Sequence, residues 1–181
     1  MQQLALWKEV TTVVVGLALV LVAIGVVFFV GMRTGSPLVR NVVRRFNRVL
    51  GNPHQMKTAG TPGAYASVIR HVGRRTGRSY ETPMVPFATE DGFVIALPYG
   101  PGTDWVRNVM ASGSATIVHE GATYRVDHPE VIPVVTGAPY MPAKEQRGLR
   151  RFAVDRCLRV RRVVPERDVR AHEDDPIEVT V

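Results

Sequence analysis

The sequence predicts a mainly β, α+β domain, an antiparallel barrel or curled sheet with short helices, preceded by one long apolar helix and one amphipathic helix. Three observations carry that expectation. Residues 10–32 form an uncharged apolar run. Beyond residue 64, short β-branched or apolar stretches succeed one another across turn residues, and strands joined by hairpins disfavour a doubly wound parallel sheet. Only two short helical patterns interrupt them.

The apolar run, from Val10 to Met32, is long enough as a helix to cross a hydrocarbon core of roughly 30 Å. The residues just after it, Arg33-Thr-Gly-Ser-Pro, lack the small-residue cleavage site of a secretory signal. Lys8 stands alone before the run, against Arg33, Arg40, Arg44, Arg45 and Arg48 after it. That asymmetry predicts a single pass through the cell (inner) membrane with the C-terminal domain in the cytoplasm. The single Cys157 excludes an intramolecular disulfide.

Ser36-Pro37 reads as a helix start, and Gly51 with Pro53 as its stop. Between them Leu38, Val42, Phe46 and Val49 share one face, while Arg40, Arg44 and Arg48 repeat on another. Such a helix suits a headgroup surface. Its apolar face could equally pack on the domain, leaving the arginines to lipid. Residues 51–64, with Gly51, Pro53, Gly60, Pro62 and Gly63, read as a linker.

Strands are expected over Ala66–Val72, Thr82–Ala88 and Phe93–Leu97, with Glu90-Asp91-Gly92 as a turn. Asp104 is expected to cap a short helix, Trp105–Ala111, that Gly113 ends. Ala115–His119 and Tyr124–His128 form a further hairpin across Glu120-Gly121. Pro142–Asp155 reads as helix and Leu158–Val164 as a last strand, while Pro133–Pro142 shows no pattern. The chain thus divides into a membrane anchor over 1–35, an amphipathic helix and linker over 36–64, a β domain over 65–164 and an acidic tail over 165–181.

Charge is segregated within a formal net of +7: no acidic residue lies between Glu9 and Glu81, and the tail reverses the sign. A basic half beside an apolar helix points to a lipid bilayer and an anionic small ligand. Nucleic acid is not expected, since there is no helix-turn-helix pattern, zinc-ligand spacing or aromatic platform. His54, His71, His119, His128 and His172 lack ligand spacing, so no metal is expected. No Gly-x-Ser-x-Gly or cysteine–histidine arrangement suggests hydrolysis.

The densest basic segment is His71-Val-Gly-Arg-Arg-Thr-Gly-Arg-Ser79. Flanked by strands, it forms a hairpin tip holding Arg74, Arg75 and Arg78 without an acid. Guanidinium groups beside glycine N–H groups invite an anion, although a solvated turn has the same composition.

This run Gly73-Arg-Arg-Thr-Gly-Arg78, then Thr82-Pro83, then Ala96-Leu-Pro-Tyr-Gly-Pro-Gly-Thr-Asp-Trp-Val-Arg-Asn108, resembles the deazaflavin-dependent nitroreductase family over roughly residues 60–135. The resemblance implies a split β-barrel of the flavin-reductase type that uses coenzyme F-420, with FMN as the alternative cofactor. It implies that Arg74, Arg75, Thr76, Gly77 and Arg78 hold the acidic cofactor tail. By the same token Pro83, Tyr99, Gly100 and Trp105 flank the ring and phosphate, and Arg107 and Asn108 fix the loop or touch the cofactor. Hydride transfer needs the ring positioned and water excluded. A proton donor would come from Tyr99, Tyr124 or Tyr140, since a phenol can hydrogen-bond an oxygen on which charge develops. The pattern departs from many relatives at Tyr99, where lysine or serine is usual, and at Val106, where tyrosine is.

The function expected is a membrane-anchored oxidoreductase passing hydride to a lipophilic acceptor such as a quinone or nitro compound. The rival is a non-catalytic accessory subunit of a membrane complex, for example a transport assembly, contacting other membrane proteins through the N-terminal helix and keeping the barrel as a scaffold.

Overall fold

The computed structural model describes residues 2–47 and 51–163. Arg48, Val49 and the expected acidic tail lie outside the described residues. Seven strands, β1 (Ser67–Val72), β2 (Ser79–Met84), β3 (Pro86–Ala88), β4 (Gly92–Ala96), β5 (Ser114–His119), β6 (Ala122–Pro133) and β7 (Arg156–Arg162), form one sheet. The order is β2-β1-β5-β6-β7-β4-β3, and every pair is antiparallel. The two edge strands are consecutive in the chain and separated only by Val85. The sheet therefore curls into a half-barrel whose first and last strands belong to one segment, in keeping with the mainly β, antiparallel barrel or curled sheet the sequence predicts.

That segment corrects the expected single strand Thr82–Ala88. Pro83 and Pro86 each lack an N–H, and a residue before proline is held extended. A ladder to one neighbour cannot run through them unbroken. The first half pairs with β1, Pro83 facing Val68, and the second pairs with β4, Pro86 facing Ile95.

β6 also runs further than the expected Tyr124–His128. His128 has φ 48°, and the register to β7 shifts between Asp127 and Glu130. This β-bulge bends the strand and lets it pair with β5 through its first half and with β7 through its second. The segment without a sequence pattern then forms a four-residue helix, α5 (Val134–Gly137), and a 3-10 turn at Ala138–Tyr140.

Helix α4 (Asp104–Ser112) starts one residue earlier than expected: Thr103 is its N-cap, and Asp104 already lies in the first turn. Gly113, at φ 70°, closes it in the left-handed conformation that glycine adopts without strain. Helix α6 spans Ala143–Arg151, shorter than the expected Pro142–Asp155, because Ala153 at φ 49° reverses the chain into β7. The barrel interior is filled by Ile69, Phe93, Ile95, Ile117, Val126, Leu158 and Val160, with Val106 and Val109 of α4 packed onto them. Close packing shows at Gly92, where a Cβ would collide with the Val160 carbonyl oxygen.

At the N-terminus, α1 (Gln2–Arg33) contains one stretch, Glu9–Arg33, long and apolar enough to cross a membrane. Its side chains are open along most of that stretch, with Val13 71 % and Leu19 65 % exposed. Contacts with the rest of the chain come from its final turns. Phe28 and Phe29 meet the Phe152 ring edge-on, Arg151 lies over Phe29, and Arg33 Nη1 donates to the Arg151 carbonyl at 2.9 Å. The last carbonyls of α6 are thus capped by a cation at a helix C-terminus.

A tight turn through Gly35, at φ 72°, leads into α2 (Pro37–Phe46). A Cβ on Gly31 would collide with Val39 Cγ2, so the two helices touch backbone to side chain. The faces of α2 are reversed relative to the sequence alternative with arginines toward lipid. Leu38, Val42 and Phe46 are 72 %, 61 % and 60 % exposed, whereas Arg40 and Arg44 turn toward the domain. The expected linker contains one further short helix, α3 (Asn52–Gln55).

Candidate functional site

The β1–β2 hairpin, the N-terminal turn of α4 and the end of α2 enclose a cleft of about 540 Å3. The hairpin tip is closed by Gly73 N–H donating to the Arg78 carbonyl at 2.8 Å. A Cβ at Gly73 would fall 2.6 Å from both Thr76 Oγ1 and Tyr80 Cε2, so glycine is required for the tip to fold back. Thr76 Oγ1 and Tyr80 OH lie 3.1 Å apart, and the Tyr80 ring stacks on His71 at 5.9 Å between centroids.

One buried side chain ties this hairpin to α4. Asn108 Oδ1 accepts from the Arg74 backbone N–H at 3.2 Å and from Arg74 Nη1 at 2.9 Å. With its oxygen so used, the amide NH2 faces His71 Nδ1 at 3.2 Å, which makes Nδ1 the acceptor. His71 Nε2 then carries the proton and donates to Thr82 Oγ1 at 3.2 Å. Arg74 reaches onward to Asp104 at 3.4 Å. The chain Thr82–His71–Asn108–Arg74–Asp104 sets where the tip lies relative to the helix.

His71 is buried, which lowers its pKa below the ordinary 6.5. A depressed histidine pKa favours the neutral form in the fold, so the unfolded chain binds the extra proton first. The stability that His71 contributes is present above pH 6.5 and is lost as pH falls through the lower folded value. The midpoint of thermal unfolding in detergent is expected to drop between pH 7 and pH 5, with His71→Gln flattening that slope. An equal slope in the variant would remove His71 as its cause.

A second chamber of about 350 Å3 adjoins the cleft. Pro83, Tyr99, Thr103, Trp105, Asn47 and Asn52 line both spaces. The cleft end carries Arg44, Arg74 and Arg75, and the chamber end carries Met84, Val85, Phe87, Ile95 and Leu97. Of the acids lining the cleft, Glu81 is paired with Arg70 at 2.8 Å and Asp104 with Arg74. Arg44 and Arg75 have no carboxylate within ion-pair distance among the described residues. The trough is thus cationic at the cleft end, while the chamber end pairs an apolar wall with Tyr65, Gln55 and the carboxylate of Glu145.

Two hydroxyls sit at the junction. Thr103 is 5 % exposed and its Oγ1 is buried with no hydrogen-bond partner among the described residues. Such an orphan costs free energy that a bound polar group recovers. Tyr99 OH accepts from Asn47 Nδ2, which leaves its own proton free to donate. Burial raises its pKa, so it stays a phenol at neutral pH.

Of the residues singled out by sequence, Arg74, Arg75, Thr76, Pro83, Tyr99, Trp105 and Asn108 line the cleft, and Gly100 lines the chamber. Gly77, Arg78 and Arg107 line neither. Tyr124 packs its ring against Phe93 at 5.3 Å, and Tyr140 is 48 % exposed on the 3-10 turn. Neither reaches the trough. Sequence reasoning missed His71, Thr103 and Asn47 as site residues. Arg44 was missed as well; His71, first in the basic segment, and Thr103, inside the Tyr99–Trp105 motif, carried a signal, whereas Arg44 and Asn47 carried none as site residues.

No model of a known protein family matches the chain, and no curated protein matches it either. Among solved structures, the chain is similar to one named F420 Reductase, with TM-score 0.39 and 14 % identity over 60 % of this chain and 92 % of that one. It is also similar to one described as a domain-swapped dimer, with TM-score 0.35 and 10 % identity over 66 % of this chain and 97 % of the other.

Proposed function

We propose that this chain is a membrane-anchored reductase that binds a deazaflavin, coenzyme F-420, in the trough and delivers hydride to a lipophilic acceptor such as a quinone or nitro compound. The observation that carries the reading is the two-ended trough itself. A cofactor with a flat ring and a phosphate- and carboxylate-bearing tail needs cations at one end and an apolar slot at the other, and the motifs that resemble the deazaflavin family line both. The orphaned Thr103 hydroxyl at the junction fits a ring bearing polar edge atoms. A two-electron hydride donor is what such a cofactor supplies when bound.

The chain's own residues supply the rest. Arg44 and Arg75 hold the anionic tail by charge-assisted hydrogen bonds. Arg74, already committed to Asn108 and Asp104, positions the tip instead. Pro83 and Trp105 wall the junction and exclude water, which strengthens every polar contact there. Tyr99 donates its hydroxyl proton toward an acceptor oxygen as negative charge develops on it. With the ring at the junction beside Thr103, the apolar wall of Met84, Phe87 and Leu97 faces the side from which the acceptor approaches.

The test is titration of the full chain in detergent with oxidised coenzyme F-420, read by quenching of cofactor fluorescence. Saturable one-to-one binding is expected, and its absence would sink the reading. Thr103→Val keeps the shape and removes the hydroxyl. It is expected to weaken binding about two- to tenfold while raising the melting temperature of the cofactor-free protein, since an unpaired buried polar group is removed. A destabilised variant with unchanged affinity would show that Thr103 serves the helix cap alone.

A further inference from the structure

The outward face of α2 is apolar and unpartnered. Leu38, Val42 and Phe46 repeat every four residues and stay exposed, although the same helix turns Arg44 and Asn47 into the cleft. Ordinary amphipathic packing would do the opposite, with apolar side chains toward the domain and charges toward water. Arg40 reinforces the inversion: a Cβ on Gly100 would lie 3.7 Å from its Nη1, so its guanidinium reaches the loop that borders the chamber.

What covers that face is set by where α2 begins. Only three residues separate it from the end of the apolar helix α1, and Val39 packs on Gly31 in the last turns of α1. Those turns also seat α6, through Phe152 and the Arg33 contacts to the Arg150 and Arg151 carbonyls. Around this junction Arg33, Arg45, Arg147, Arg150 and Arg151 are open to solvent in whole or in part. Apolar side chains beside a spanning-length helix, ringed by cations, match the acyl–headgroup boundary of an anionic bilayer. The contacts of α1 with α2 and α6 further show that it is packed as a part of the folded molecule.

We propose that α2 is an interfacial helix, its Leu38–Val42–Phe46 face seated in an anionic bilayer surface while its opposite face supplies Arg44 and Asn47 to the trough. This rests on the membrane-anchored part of the proposed function and deepens it. The wall shared by cleft and chamber is then held at the boundary where a bilayer-dissolved acceptor resides. The site gains its lipophilic substrate by position as well as by lining.

The experiment uses the full chain in vesicles of phosphatidylcholine and phosphatidylglycerol, with nitroxide labels at Leu38→Cys, Val42→Cys, Phe46→Cys and, as the water-facing control, Lys57→Cys. Native Cys157 is buried, with its thiol pushed up to about 11, and does not compete for label. Collision with oxygen over a water-soluble nickel chelate is expected to be several-fold more favoured at 38, 42 and 46 than at 57. Nickel-dominated collision at 42 and 46 would overturn the proposal by placing the face in water. Low collision with both reagents would overturn it too, by showing a second copy or another protein on the face. The readout needs no cofactor, so its failure leaves the cofactor titration standing, and the reverse holds.

Discussion

Arg44→Glu combined with Arg75→Glu is expected to weaken coenzyme F-420 binding at least about 100-fold, since hydrogen bonds to charged groups are worth about 1.5–3 kcal/mol each and reversal adds repulsion. Both side chains line the cleft, and neither has a carboxylate partner among the described residues. Arg44 donates to Asn41 Oδ1, one turn earlier at 3.1 Å, so little internal structure depends on its charge. Unfolding should therefore move by no more than about 0.5 kcal/mol, as for other surface changes. Arg78→Glu is the internal control. It lies on the same basic tip but outside the cleft lining, and at moderate salt its effect should be screened to about threefold or less. Fluorescence titration of the double variant, of Arg75→Glu alone and of Arg78→Glu at two ionic strengths decides it. Equal losses at Arg78 and Arg75 would mean a diffuse basic surface with no defined tail site.

The contrast among these arginines marks the limit of what spacing along a chain reveals. The tip, its glycines and its charge were legible, because turn chemistry is local. That Arg74 would be spent on Asn108 while Arg75 stays available depends on a contact 34 residues away in sequence. The same holds for α2. Its two faces come from a period of 3.6, but which face meets the domain depends on the partner surface, and here the polar face meets it. The break at Val85 was written in Pro83 and Pro86, yet reading it requires knowing that the segment has a different neighbour on each side. Among the tyrosines proposed as proton donors, only Tyr99 arrives at the trough. Tyr124 lies on β6, partly buried with its ring packed against core residue Phe93, so alternation along the strand decided its place. Gly113 as the end of α4 was readable outright, while the cap at its start falls on Thr103 and not on Asp104, a one-residue difference that leaves the threonine at the junction of both spaces.

Asn108→Leu is expected to destabilise the fold by roughly 1–4 kcal/mol, because the buried His71 Nδ1 loses its partner at about 1–3 kcal/mol and the part-buried Arg74 N–H loses its own at less. Asn108 is 6 % exposed and nearly isosteric with leucine, so the change removes polarity with little change of volume. The Arg74 N–H and His71 Nδ1 would be left facing a methyl group. Against a total stability of about 5–15 kcal/mol, that is a large share. Released from Asn108, the Arg74 guanidinium would no longer hold the tip to α4, and cofactor affinity should fall along with the melting temperature. Asn108→Asp separates the two consequences. Its carboxylate still accepts from Arg74 but now faces His71 Nδ1, where it favours the imidazolium and raises the histidine pKa. The sign of the pH dependence then reverses. The stability contributed by the raised histidine is fully present below its ordinary 6.5 and is lost as pH rises through the new folded value. Melting curves of the two variants from pH 5 to pH 8 test the network directly. A pH slope in Asn108→Asp with the same sign as in the native chain would mean that His71 and Asn108 are not coupled, and the tip would then need another tether.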